Sequence, residues 1–101
     1  MEWSQGDIIR IQGYRNDFLV ISNNSYIRAT GFFHVCPLLQ DVTEGPLHIS
    51  IHGDQETSGT AICEQIKLID PSARSCIRRD RISYNQIMNV SDALQGIFEY
   101  D

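Results

Sequence analysis

Ile82-Ser83-Tyr84-Asn85-Gln86-Ile87 is where the chain changes its hydrophobic period, and that change sets the fold class. Ser83 stands three residues before Gln86, the spacing of a capping box. The hydroxyl can accept from an early helix amide, and the Gln side chain can reach back to the cap. Ile82 and Ile87 hold the positions of a hydrophobic staple around it. Ile87, Val90, Leu94, Ile97 and Phe98 then follow at helical spacing as one apolar stripe, which predicts a terminal helix. Upstream the pattern is a succession of short β-like runs. Ile8 to Ile11 lies between Gly6-Asp7 and Gln12-Gly13, and Phe18 to Ser22 between Arg15-Asn16-Asp17 and Asn23-Asn24-Ser25. Gly31 to Leu39 is longer and contains Pro37, whose missing ladder donor predicts an edge, a bulge or the strand's end. Leu47, Ile49 and Ile51 alternate with His48, Ser50 and His52, the period of a half-buried strand. Thr60 to Ile69 is half apolar, Asp70-Pro71-Ser72 reads as a turn, and Ser75 to Ile82 resumes the strand pattern. Many short strands closed by one helix predict a mainly β protein: a small antiparallel barrel with the C-terminal α-helix packed on it.

The chain's 101 residues make one domain, 1–101, with no linker or internal repeat. Apolar residues are 42% and charged residues 21%, a globular balance. The net charge of −5 argues against a protein basic all over, the usual footprint of non-specific nucleic-acid binding, while leaving room for a local basic site. The apolar runs fall far short of the ~18–20 residues that cross a bilayer, so no membrane partner is expected. Met1 to Gln5 has neither the basic nor the apolar region of a secretion signal. Cys36, Cys63 and Cys76 are widely spaced and form no CxxC pair, so a zinc site reads poorly; each lies among apolar neighbours. Reduced, buried thiols in a cytoplasmic protein are the expectation.

Several of these runs resemble the MazF/PemK toxin family. Gly6-Asp7-Ile8-Ile9 is similar to its opening strand, Phe18 to Asn23 to its second, and Val35-Cys36-Pro37 to its third. Gly59-Thr60-Ala61-Ile62-Cys63-Glu64-Gln65-Ile66-Lys67 resembles a Gly-Val-Ala-x-x-Asp-Gln-Val-Lys run, the most specific part of the likeness, and Ile69 to Arg74 matches an Ile-x-x-x-Ala-Arg stretch. The resemblance implies an SH3-like barrel, a homodimer, a cognate antitoxin, and cleavage of single-stranded RNA with neither metal nor other cofactor. In that chemistry the RNA's 2′-hydroxyl attacks the adjacent phosphate, and the protein moves a proton to the leaving oxygen and stabilises the phosphorane charge.

The family's long first loop, with its Gly-x-Glu-Gln-x-Gly-x-Arg-Pro motif, is here only Gly13-Tyr14-Arg15-Asn16-Asp17. The catalytic arginine's position falls on Asn16 and the proline's on Asp17, with Arg15 one residue early. The hydroxyl residue expected after the third strand falls on Leu39, which cannot donate to a phosphate. Arg15, the only cation of the short loop, and Glu64, placed where the family keeps an acidic residue, are the catalytic candidates. Asn16, Gln40, Gln65, Lys67 and Arg74 are the candidate RNA contacts. The bland alternatives are an Arg15 facing Asp17, and a Glu64 paired with Lys67 or a nearby Arg. Lys67, Arg74, Arg78, Arg79 and Arg81 gather five of the eight basic residues, but Arg78-Arg79-Asp80-Arg81 has no interleaved aromatic for base stacking. His48 and His52 lie about 13 Å apart along one strand, too far for one ion. His34 could act as a base only if the barrel brought it to Glu64. Trp3 and Tyr100 are expected to pack on the barrel or a dimer seam. Two further functions compete: a binding module of the same fold without turnover, as Asn16 and Leu39 suggest, and a CcdB-like gyrase poison. The latter ranks last because the chain ends Phe98-Glu99-Tyr100-Asp101, without the Trp of that type.

Overall fold

The structure, a computed structural model, describes residues 3–101. Seven strands and two helices follow in the order β1 (Asp7–Ile11), β2 (Phe18–Val20), α1 (Asn24–Thr30), β3 (Phe33–Leu39), β4 (His48–His52), β5 (Ser58–Ile62), β6 (Lys67–Ile69), β7 (Cys76–Arg81) and α2 (Tyr84–Phe98). All pairings are antiparallel, in the order β4-β5-β3-β2-β1-β7, with β6 added to β3. A bridge between Gly53 and Ile82, and the Asp54 N–H donating to Arg81 O at 2.9 Å, bring the two outer strands together. The sheet thereby closes into a small barrel, as the run of short strands predicts. No helix among the described residues is long and apolar enough to cross a membrane.

β3 organises the sheet, and Pro37 shows how. The strand pairs β2 through Val35, Cys36 and Pro37, so Pro37 is neither on an edge strand nor at the strand's end. Leu38 N–H donates to Asp17 O at 2.9 Å. Ladder alternation therefore turns the Pro37 nitrogen to the opposite side, where β3 exchanges β6, paired as far as Val35, for β5, paired from Leu38. The missing donor falls at the change of partner, which the local sequence does not reveal.

The apolar runs are continuous because both faces of the sheet are covered. Ile8, Leu19, Cys36 and Leu38 point into one cluster with Ile51, Ala61 and Val90 of α2. Ile9, Ile11, Phe18, Val20, Phe33 and Val35 point into the other, under Ile27 of α1. Cys36 and Cys63 are buried in the first cluster and Cys76 is half-buried beside the second; all three are free thiols.

α1 differs from the sequence expectation, which has a strand boundary at Asn23 to Ser25. Its signals are present in the chain: Asn23 Oδ1 accepts from Tyr26 N–H at 2.8 Å, and Gly31, at φ 76°, donates to Ile27 O at 2.8 Å. α2 starts at Ser83 as expected, with its hydroxyl accepting from Gln86 N–H at 3.4 Å. Gln86 reaches back to the cap as expected, its Nε2 donating to the Ser83 hydroxyl at 3.0 Å, and makes a further pair of bonds. Gln86 turns to β4, accepting from His52 N–H at 2.6 Å and donating to His52 O at 2.9 Å, so it fastens the helix to the sheet. The apolar stripe holds at Ile87, Val90 and Leu94 but runs off the sheet at Phe98, which is 71% exposed. Trp3 packs on Phe33, with ring centroids 5.6 Å apart, whereas Tyr100 is fully exposed among the described residues.

Candidate functional site

The shortened loop after β1 sits at one mouth of the barrel. Gly13 takes φ 97°, a conformation that favours glycine, and Tyr14 N–H turns back to Ile11 O at 3.1 Å. Tyr14 then lies edge-on to buried Phe18, at 5.0 Å between centroids. Asn16 Nδ2 donates to Asp17 O at 2.9 Å, the same oxygen that accepts from Leu38 N–H. Two strands and the loop thus converge on Asp17, and its neighbours frame a cavity of about 330 Å³. Arg10, Arg15, Asn16 and Asp17 form one wall; Leu38, Leu39, Gln40 and Ser58 form the other. Gln40 Nε2 donates to Ser58 O at 2.8 Å, which ties the end of β3 to the start of β5.

Of the sequence candidates, Arg15, Asn16 and Gln40 meet at this cavity. Arg15 is exposed and makes no ion pair among the described residues; Asp17 is engaged by Arg10 at 3.0 Å and stands 3.7 Å from Arg79. Lys67 and Arg74 do not line the cavity but converge beside it on Tyr14. Lys67 Nζ is 5.8 Å and Arg74 Cζ 5.2 Å from the ring centroid, and Arg74 Nη1 reaches the Tyr14 hydroxyl at 3.4 Å. Tyr14 was not among the sequence candidates; its place beside Arg15 in the short β1–β2 loop was the available signal. It gives Lys67 and Arg74 an aromatic face, as Trp3 does Arg78, whose Cζ lies 5.9 Å from that ring centroid.

Glu64 lies elsewhere. Its carboxylate takes His48 Nε2 at 3.1 and 3.2 Å, so its partner is neither Lys67 nor an arginine. β4–β5 register sets His48 opposite Ile62 and His52 opposite Ser58. Ser58 of the cavity and Ile62, next to the His48–Glu64 pair, are thus at opposite ends of β5, about 13 Å apart along the strand. No hydrogen bond or ion pair joins Glu64 to Arg15 among the described residues, and Glu64 does not line the cavity at Arg15. Gln65 is exposed in the turn after β5, its N–H on Ile62 O at 3.1 Å. His34 is not brought to Glu64: its Nδ1 meets Ser22 Oγ at 2.8 Å and its ring lies 5.2 Å from that of Tyr26. Those three residues border a separate cavity of about 710 Å³ beneath the last turns of α2.

The basic cluster of the sequence is divided by the fold. Arg78 and Arg81 converge on Asp7, a fully buried carboxylate, at 3.0 and 3.1 Å. Removing either cation would leave a buried charge short of a partner, so these two arginines hold β7 to β1. Arg79 turns to Asp17. Among the described residues no group of three or more His, Cys, Asp or Glu side chains is placed to hold a metal ion.

No protein-family model matches the sequence, and no curated protein matches it. Solved structures do match. A chain of the MazE–MazF complex (Form-II) of Deinococcus radiodurans superposes with a TM-score of 0.83 at 17% identity, covering 100% of this chain and 99% of that one. MazF alone (Form-I) from the same organism gives 0.80 at 18%, covering 96% of each chain. An endoribonuclease in complex with its cognate antitoxin, from a mycobacterial species, gives 0.78 at 15%, covering 98% and 99%. At these identities the likeness is one of fold, and it spans the whole barrel and the terminal helix. The chain has the fold of the MazF toxins.

Proposed function

We propose that this protein is the toxin of a toxin–antitoxin pair, a MazF-like endoribonuclease that cleaves single-stranded RNA as a homodimer in the cytoplasm. The observation that carries the reading is the cationic cavity at the β1–β2 loop, in a chain whose fold matches MazF toxins along its full length. The RNA backbone lies along this mouth, with a scissile phosphate against Arg15. Attack by the neighbouring 2′-hydroxyl forms a phosphorane whose added negative charge the guanidinium meets. Asn16 and Gln40 offer amide donors to phosphate or base edges. Tyr14, flanked by Lys67 and Arg74, stacks an adjacent base while the two cations bind its phosphate. The 2′-hydroxyl gives up its proton as it attacks and the 5′-oxygen takes one up from solvent as it leaves, so no net proton is consumed and 2′,3′-cyclic phosphate and 5′-hydroxyl ends result. Glu64 paired with His48 is a proton-transfer couple in chemical type; Gln65 beside it extends the RNA track.

The test is purified protein on a long single-stranded RNA with excess chelator, fragments mapped by primer extension. Cuts at a short recurring motif are expected, with Arg15→Ala lowering the rate about 10²–10³-fold. Glu64→Gln measures whether the distant couple takes part. Intact RNA at high concentrations of folded protein would refute the nuclease reading. One observation favours a second reading, a binding module without turnover: Leu39 lines the cavity at the position where the resemblance expects a hydroxyl. RNA bound but uncut would be its signature.

A further inference from the structure

Arg10 lies inside the Ile8 to Ile11 run and is not among the sequence candidates, yet it stands in the wall of the cavity. On β1 it alternates with Ile9 and Ile11, both fully buried in the core under α1, so its side chain leaves the sheet on the opposite face. There Arg10 Nε donates to Asp17 Oδ1 at 3.0 Å, the only bond or ion pair that Arg10 side-chain atoms make among the described residues. Asp17 holds through one edge of the guanidinium, leaving both Nη groups without a partner among the described residues. Asp17 is itself fixed. Its side chain is 15% exposed, and its carbonyl is tied to Leu38 N–H and Asn16 Nδ2. Arg79 approaches the same carboxylate at 3.7 Å. Arg10 and Arg15 therefore line one cavity with Leu38 and Leu39, while Arg79 approaches the Asp17 carboxylate, in a chain of net charge −5. Local positive charge of this kind, beside apolar walls that exclude water, favours an anion.

We propose that Arg10 is a phosphate-binding residue of the site and Asp17 the positioning residue that aims it. The inference rests on the nucleic-acid reading above and deepens it. In the resemblance, Asn16 and Asp17 occupy the places of an arginine and a proline. The structure offers a guanidinium from the adjoining strand instead, held by the residue that replaced the proline. The arrangement needs an arginine: lysine carries its charge and all its donors on one nitrogen, whereas arginine gives Asp17 its Nε–H and keeps two separate Nη groups for a phosphate.

The experiment measures binding of a single-stranded DNA oligonucleotide, which has no attacking 2′-hydroxyl, at a series of salt concentrations. It is paired with cleavage of the RNA of the same sequence. Arg10→Ala is expected to reduce the slope of log affinity against log salt by about 0.7, the loss of one phosphate contact on a single strand. Its kcat/KM on RNA is expected to fall about 10²–10³-fold. Asp17→Asn keeps the cation, so the salt slope stays and kcat falls; Arg10→Lys behaves likewise. Wild-type slopes and rates in a folded Arg10→Ala protein would overturn the inference while leaving the nuclease reading intact. Binding that depends on Arg10 with no cleavage by the parent protein would do the reverse. Absence of any oligonucleotide binding by the parent would overturn both. Should Arg10→Ala fail to fold, Arg10→Lys and Asp17→Asn decide: unchanged cleavage in both overturns the inference.

Discussion

Replacing Asp80 with alanine removes, in one substitution, the acceptor for three backbone N–H groups at the point where the barrel closes. Asp80 is 5% exposed on β7. Its Oδ1 accepts from Gln55 N–H at 2.8 Å and Arg81 N–H at 2.7 Å, and its Oδ2 from Thr57 N–H at 3.0 Å. Two of these donors belong to the loop between β4 and β5, so the carboxylate fastens that loop across the seam marked by the Gly53–Ile82 bridge. A Cβ on Gly53 would overlap the Asp80 carboxylate, which shows how closely the loop backbone approaches it. Gln55 and Arg81 are exposed, and water recovers part of each lost bond there. At about 1 kcal/mol for each bond, Asp80→Ala is expected to cost about 3 kcal/mol. For a domain of this size that lowers Tm by roughly 12–24 °C. Urea and thermal denaturation followed by circular dichroism measure it. The pH dependence gives an independent check. Burial alone would raise the Asp80 carboxyl, but the N–H groups of Gln55, Arg81 and Thr57 outweigh it and hold the group below the usual carboxylate range. With its folded value depressed, the unfolded chain binds the proton more readily. The contribution is therefore full above the unfolded value of about 3.9 and is lost as pH falls through the lower folded value. Asp80→Ala is expected to lose part of the acid-limb slope of stability. A cost under about 1 kcal/mol, with the parent's acid limb retained, would refute the reasoning.

Two further outcomes test the packing. Gly6 holds φ 92°, and a Cβ there would lie 2.6 Å from Ile87 Cδ1, so Gly6→Ala is expected to destabilise by about 1–3 kcal/mol in urea melts, through backbone strain and overpacking at the helix contact. Thiol reagents under native conditions are expected to modify Cys76 before Cys36 and Cys63. The Cys63 hydrogen bond and burial push the Cys36 thiol well above its usual range, and both core cysteines are fully buried; mass spectrometry after timed labelling gives the order.

The strands, the terminal helix and its Ser83 cap were legible in the chain because their causes are local. Side-chain alternation, the 3.6-residue period and a hydroxyl reaching three residues along all act within one or two turns. α1 was legible in principle, from Asn23 and Gly31, but a seven-residue helix has too short an apolar period to stand out between two strands. The likeness of the Glu64 to Lys67 run led to the right fold, because a barrel is recognised by its order of apolar runs. It could not say which charges meet. Gln86 was readable as a helix cap, yet its amide spans 34 positions to His52. Arg81 reaches Asp7 across 74 positions, and Arg74 reaches Tyr14 across 60. Glu64 finds His48 because β4 and β5 pair in one register and not another. Asp17 finds Arg10 because the loop between β1 and β2 is short and folds back on β1. Burial patterns write themselves along the sequence, since every core residue answers to the same solvent. Polar partnerships do not, since a side chain's partner is set by barrel closure and strand register, which long-range packing alone brings about.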